Sequence, residues 1–433
     1  MSHNPASQYP DSYYAASSSR HKDYPSLQES IQADICVVGG GYSGLATAIS
    51  LQEKGYKVVL LEAAKIGFGA SGRNGGQLVN SFSRDIDHIE KQYGKDTASA
   101  MGAMAFEGAE IIRGLIDKYQ LDVDYQHGGF FAAFTDKQMD ELAAKKALWE
   151  RFGNQKLRLV DKQEMAKIVN TDAYVGGLVD EHCGHIHPLK LALEEARAFT
   201  DIGGIIFEDS KVIEIKHADG DKLSEVITGK GRVHAKKLVL AGNAYMGNLE
   251  PKLARKSMPC GTQIITTEVL PQSLAEQLIP SRYCIEDMNY KLDYYRLTAD
   301  NRLLFGGGVT YGGGDPASIE KYLRPRFESV FPQLKGIKID YAWGGDFLLT
   351  LSRLPQLGKI GDNTYYAQGY SGHGVNTSHL SGRILAEAID GETRRFEVFT
   401  SLPHYPFPGG RMMRVPFTKL GAWYYGVRDK LGW

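Results

Sequence analysis

Apolar and polar positions near the start of this chain fall into blocks that predict a strand, a turn, a helix and a second strand. Ile35 to Val38 is an apolar run that reads as a buried strand, and glycines come directly after it at Gly39, Gly41 and Gly44. Leu45, Ala48 and Ile49 recur at helical spacing, Gly55 is placed to end that helix, and Tyr56 to Leu61 reads as a strand ending at Glu62. Further along, Phe106 to Tyr119 and Asp136 to Phe152 carry helical periodicity. Gln263 to Leu270, Asp293 to Leu297 and Arg302 to Gly307 read as strands, the last two joined by a Thr-Ala-Asp-Asn turn. Lys236 to Asn243 has the form of a late strand returning to the first sheet. Thr364 to Ala367 reads as a strand, Gly369 to Val375 as a glycine-rich turn, and Asn376 to Ile389 as a helix with Leu380, Ile384, Leu385 and Ala388 on one face.

The first block has a chemical meaning. Gly39, Gly41 and Gly44 have G-x-G-x-x-G spacing directly after a strand, with Tyr42 and Ser43 opening the helix. The first glycine permits the tight turn, the second lets the backbone approach a pyrophosphate, and the third lets helix and strand pack closely. A pyrophosphate there meets unpaired N–H groups and the positive end of the helix dipole. Glu62, about twenty residues on, is placed to accept from adenosine ribose hydroxyls and to repel a 2′-phosphate.

Composition narrows the class. The 433 residues are enough for two domains, and a net charge of −1 offers no basic excess for nucleic acid. The four cysteines, Cys36, Cys183, Cys260 and Cys284, show no CxxC pair, which fits a reducing cytoplasm rather than a disulfide framework. Residues 1–30 lack an apolar run, so they form neither signal peptide nor membrane span, and they read as a flexible arm ordered only near Ser26 to Ile31. His182, His185 and His187 cluster just before Pro188; local hydrogen bonding, not metal, is expected there.

FAD is favoured over NAD by the loop after Glu62 and Ala63. The stretch from Gly67 to Gln77 stays glycine-rich and carries Gly69, Ala70, Ser71, Arg73, Asn74, Gly75 and Gly76. Such a loop suits an extended cofactor whose ribityl chain and fused ring are approached by main-chain N–H groups. Val212, Ala241 and Gly242 are further candidates for the cofactor wall, as are Gly372, His373, Gly374 and Val375. A helix starting after that last turn would point its positive end at a reduced flavin.

These segments, from Gly39 through Gln77 and from Gly369 to Val375, resemble the FAD-dependent amine and amino-acid oxidases of the D-amino-acid oxidase and sarcosine oxidase superfamily. Ile66 to Ser81, Asn289-Tyr290, Tyr294 to Leu304 and His404 to Arg411 resemble, within it, a bacterial branch acting on gamma-glutamylated putrescine. The resemblance implies an α/β and α+β fold: a Rossmann-like FAD-binding domain from about 30–100, 175–255 and 340–395, interleaved with a mixed-sheet substrate domain from 100–175 and 255–340, and a C-terminal extension over 397–433. It implies oxidation of a terminal primary amine to the aldehyde, with hydride transfer to flavin N5, imine hydrolysis, and release of ammonia and hydrogen peroxide.

Such a small-molecule amine calls for an arginine toward the carboxylate, acids toward the ammonium and aromatic walls for the methylenes. Tyr290, Asp293, Tyr294, Tyr295 and Arg296 supply all three types. In a strand, Asp293 and Tyr295 share one face and Tyr294 and Arg296 the other, so only one pair lines the site. Arg73 and Arg353 are the other cationic candidates, and no acid/base triad is required. Monomeric sarcosine oxidases carry a lysine over the flavin in a strand that resembles Arg302 to Gly306, and this strand offers only leucines, Leu303 and Leu304, at that place. Lys291 or His373 is then the expected positive charge for molecular oxygen. The covalent flavin cysteine has no counterpart, so noncovalent FAD is expected. The aromatic and basic tail from Leu420 to Trp433 suggests the alternative, a membrane-peripheral amine or amino-acid dehydrogenase passing electrons to quinone without any integral membrane segment.

Overall fold

The computed structural model describes residues 8–19, 22–218, 222–410 and 413–420. Its first sheet is built on Ser30–Val38, which is parallel to Val58–Leu61 on one side and to Arg232–Leu240 on the other. Ile205–Phe207 extends the first edge; Thr364–Gln368, then antiparallel Gln356–Ile360, extend the second. The central strands are buried on both faces and therefore read as unbroken apolar runs. Helix Tyr42–Glu53 packs on helix Gly374–Asp390 so closely that a Cβ on Gly382 would lie 2.7 Å from the Ala46 side chain.

The second sheet has eight strands in the order Ile339–Thr350, Ser257–Thr267, Leu303–Tyr311, Asp293–Leu297, Cys284–Asp287, Gln126–Ala133, Gly176–His185, Leu157–Asp161. It is mixed: Cys284–Asp287 runs parallel to Gln126–Ala133 and the other pairs are antiparallel. Its outer face buries Tyr295 and Phe305 against Phe327 of helix Ile319–Val330 and against Phe331. Its inner face, with Leu304, Ile264 and Phe131, joins the core shared with the first sheet.

Two expected boundaries move. Gly176–His185 and Ile339–Thr350 bond only into the second sheet, so the FAD-binding segments resume after those strands rather than at 175 and 340. Helix Glu107–Tyr119, assigned from sequence to the substrate domain, packs on Gly374–Asp390; a Cβ on Gly108 would strike the Asn376 main chain.

The flexible arm is also corrected. Ser12 caps a short helix, Tyr13–Ser17, by accepting from the Ala15 N–H at 3.2 Å. Tyr13 is 5% exposed and Tyr14 is fully buried. Tyr14 donates to the Asn74 carbonyl at 2.8 Å and packs edge-on to Trp343, while Tyr13 donates to Asp300 at 2.7 Å. Burial of two tyrosines orders a segment whose polar composition alone suggested none.

Candidate active site

A cavity of about 750 Å³ lies between the two sheets and follows the edge of the first. At one end it is lined by Val38 to Ser43, Glu62, Ala63, Val212, Ala241 and Gly242. Gly39 has φ +116°, and a Cβ there would lie 2.9 Å from the Ala241 carbonyl; a Cβ on Gly44 would strike the Gly39 oxygen. The Tyr42 and Ser43 side chains turn into the protein, Tyr42 donating to the Pro188 carbonyl at 2.8 Å and Ser43 bonding the Tyr370 hydroxyl at 2.6 Å. Their main chain is left facing the cavity. Glu62 accepts from the Gly40 and Ala64 N–H groups at 2.7 and 2.9 Å, so it braces the glycine turn as well as facing the cavity. Burial raises its pKa against the pull of those donors.

The loop after Ala63 is stitched internally. Ser71 Oγ accepts from the Tyr42 N–H at 3.0 Å, and Asn74 bonds Ala70, Ser71 and Gly76 of its own loop. Gln77 donates to the Ile285 carbonyl at 3.0 Å. Arg73 lies over the Phe68 ring at 4.6 Å and donates to the Phe68 carbonyl; no carboxylate pairs with it among the described residues. Across the cavity, Gly369, Ser371 and Gly372 all have positive φ, and helix Gly374–Asp390 starts from them. Two helix N-termini, a glycine cradle without Cβ atoms and an uninterrupted cavity fit an extended dinucleotide with a fused ring.

Beyond that turn the cavity opens into a chamber lined by Thr262, Glu286, Tyr290, Tyr294, Tyr311, Phe347 and Arg353. The Tyr294 ring is slotted between Gly75 and Gly306, where a Cβ on either would strike it. Arg353, at φ +58°, donates to the Tyr290 hydroxyl at 2.7 Å and lies 5.4 Å from its ring centre. His373 lines the same space, and burial, with Lys145 and Arg353 nearby, lowers its pKa to about 4. It is neutral at neutral pH, which corrects its expected role as the positive charge. Lys291 lines the rim, exposed.

Three candidates lie elsewhere. Tyr295 is buried in the outer core, stacked with Phe305 and bonded to Tyr174. Asp293, on the same face, pairs with Arg326 at 2.7 Å, and burial lifts its pKa to about 6. Arg296 shares the Tyr294 face but donates backward, to Gly75 O at 2.8 Å, Ile186 O at 3.1 Å and Tyr14 Oη at 3.2 Å, so it clamps the rear of the loop. The histidine cluster falls there too. His185 bonds the Arg282 carbonyl; His187 caps helix Pro188–Asp201 and bonds Ser17. Burial keeps both rings well below the usual histidine pKa.

Sequence reasoning missed Glu286, Thr262, Tyr245, Asn243 and Lys211, all lining the cavity. Asn243 accepts from the Gly369 N–H at 3.0 Å and so joins the two turns. For Glu286 a signal existed: an acidic pair, Glu286-Asp287, directly after the apolar Cys284-Ile285. Of the Leu420 to Trp433 tail, only Leu420 lies within the described residues.

A nucleotide cradle on one sheet, roofed by a second sheet that bounds a chamber at the flavin end, defines a flavoprotein oxidoreductase. The family model for FAD dependent oxidoreductases of the DAO type matches residues 34–388, and the chain belongs to that family. It is 57% identical over 426 residues, covering 98% of this chain and 99% of the relative, to the gamma-glutamylputrescine oxidoreductase of Escherichia coli strain K12. A probable oxidoreductase of Haemophilus influenzae is 41% identical, with 97% of each chain covered. Among solved structures, glycine oxidase from Geobacillus kaustophilus superposes with a TM-score of 0.69 at 21% identity, covering 83% of this chain and 95% of that one. This likeness concerns the fold. No helix among the described residues is long and apolar enough to cross a membrane.

Proposed function

We propose that this enzyme oxidises the terminal primary amine of gamma-glutamylputrescine, or of a related gamma-glutamylated polyamine, to the aldehyde with release of ammonia. FAD is held noncovalently and molecular oxygen is the final acceptor, yielding hydrogen peroxide. The observation that carries this reading is the chamber continuous with the cofactor cradle, which sets Arg353 and Glu286 among the aromatic rings of Tyr290, Tyr294 and Tyr311. A guanidinium suits the glutamyl carboxylate and the rings suit the methylene chain. The 57% identity to a gamma-glutamylputrescine oxidoreductase supports the same substrate.

A bound flavin would supply the two-electron acceptor. The chain's part is to hold the pyrophosphate at Gly39 to Ser43, the ring between the Gly69 to Gln77 loop and the His373 turn, and the amine carbon within reach of it. Tyr294, whose side chain is slotted between Gly75 and Gly306, would shield the flavin side of the chamber from water. Noncovalent attachment is supported by the cysteines: Cys260 alone of the four lines the cavity, and burial pushes its thiol up to about 12, leaving it a poor nucleophile.

Anaerobic mixing with gamma-glutamylputrescine should bleach the flavin much faster than mixing with free putrescine; equal rates would defeat the substrate assignment. Reoxidation by dissolved oxygen in a stopped-flow cell should be fast and yield peroxide. Acid denaturation should release all the flavin into the supernatant.

A further inference from the structure

Three carboxylates border the cavity, and two are occupied. Glu62 is bonded by the Gly40 and Ala64 N–H groups, and Asp346 accepts from the Gly314 N–H at 2.9 Å near the rim. Glu286 is the third, and it forms no hydrogen bond or ion pair among the described residues. Its place comes from strand register. In Cys284–Asp287 it stands opposite Tyr294 on one neighbouring strand and Phe131 on the other, and cross-strand partners share a face. That face is the inner one, toward the cofactor cradle.

The charged groups around it are few. Lys145, from helix Asp136–Arg151, lies 5.6 Å from the Phe131 ring centre and 3.0 Å from Asp85. It is the cation that acts on Glu286, and His373, across the chamber, responds to the same Lys145 and Asp85. Arg353, Lys291, Tyr290 and Tyr311 line the same cavity. On its own sheet face Tyr294 and the buried thiol of Cys284 have their pKa values raised by burial, and both stay protonated at neutral pH.

We propose that Glu286 is the proton acceptor for the substrate amine: its carboxylate takes a proton from the terminal ammonium, so that the carbon beside nitrogen is oxidised with the amine in its free form. The inference rests on the amine-oxidation reading above, though not on the glutamyl group. In this step R–CH2–NH3+ and Glu286–COO− become R–CH2–NH2 and Glu286–COOH; one N–H bond breaks, one O–H bond forms, and no electrons change hands. An ammonium has no lone pair to offer the adjacent carbon as its hydride leaves, whereas the free amine does. Burial raises the Glu286 carboxyl to about 7, with Lys145 opposing, so the accepting form gains population as pH rises through neutrality.

The test is the pH profile of anaerobic flavin reduction in FAD-loaded Glu286→Gln. The rate at neutral pH should fall about 100-fold or more. The rising limb near neutrality should vanish, and activity should return only as solution pH approaches the amine's own value of about 10. Lys145→Gln keeps a hydrogen-bonding side chain beside Asp85 and should move the limb to higher pH. Binding of tert-butylamine, which has no hydrogen on the carbon bearing nitrogen, can be tracked by its perturbation of the flavin spectrum; it should weaken below neutrality in the native enzyme and lose that dependence in Glu286→Gln. A Glu286→Gln enzyme with native rate and native pH limb overturns the proposal while leaving gamma-glutamylputrescine as substrate. Equal reduction by free putrescine, with Glu286→Gln impaired toward both amines, removes the glutamyl assignment and upholds Glu286.

Discussion

The two ends of the cavity are built from different material. The cofactor end is largely glycine-rich main chain: the Gly39 to Ser43 turn, the 69–77 loop and the Gly372 to Val375 turn line it, the Tyr42 and Ser43 side chains turn into the protein, and the Gly40 and Tyr42 N–H groups are held by Glu62 and Ser71. The chamber is side chain. Thr262, Glu286, Tyr290, Tyr294, Tyr311 and Arg353 come from separate strands and loops of the second sheet and its edges. A main-chain cradle accepts the same cofactor whatever substrate the enzyme takes, whereas a side-chain chamber can be respecified residue by residue.

That contrast predicts damage of different kinds at the two ends. Gly44→Val would drive a Cβ into the Gly39 carbonyl; the overpacking should cost about 3 kcal/mol and leave the purified protein without flavin, as read from the ratio of visible to protein absorbance. Arg353→Met should raise KM for the gamma-glutamylated substrate by about 10- to 100-fold, the loss of a charge-assisted hydrogen bond, with flavin content and reduction by simple amines unchanged. Equal loss with both substrate types would erase the distinction between carboxylate recognition and catalysis.

The two faces of one strand sharpen the comparison further. Tyr294→Ala should open a void between Gly75 and Gly306 and slow flavin reduction by about tenfold. Tyr295→Phe, which loses only the bond to Tyr174, should lower stability by about 1 kcal/mol in urea titration and leave reduction untouched. Tyr14→Phe removes the hydroxyl shared by Arg296 and Asn74 and should cost about 1 kcal/mol without altering KM. The smallest effect is expected at His373. Its folded pKa of about 4 lies below the ordinary histidine value, so the ring is neutral above pH 5 and gains its proton only as pH falls through 4; its NMR resonances should not titrate between pH 5 and 8.

The fingerprint strand and helix, the Asp293–Leu297 strand and the last long helix were all legible because each is specified by local periodicity. The same periodicity stated that Tyr294 and Tyr295 part company, but it could not say which of them meets the cavity. The two misplaced boundaries share a cause: Gly176–His185 and Ile339–Thr350 have ordinary strand patterns, and only their hydrogen-bond partners assign them to the second sheet. The placement of helix Tyr13–Ser17 likewise depends on a slot for Tyr14 made by Trp343, Asn74 and Arg296, residues far away in the chain.

By itself, then, the amino-acid sequence determined the glycine turn of the first sheet, because Gly39, Gly41 and Gly44 lie in one contiguous segment directly after a strand and glycine positions dictate where a backbone can approach closely. Tertiary structure decided the chamber. Whether Arg296 binds substrate or clamps a loop, whether His373 carries charge, and whether Glu286 stands alone are set by burial and by neighbours brought from distant segments, and no local pattern encodes those.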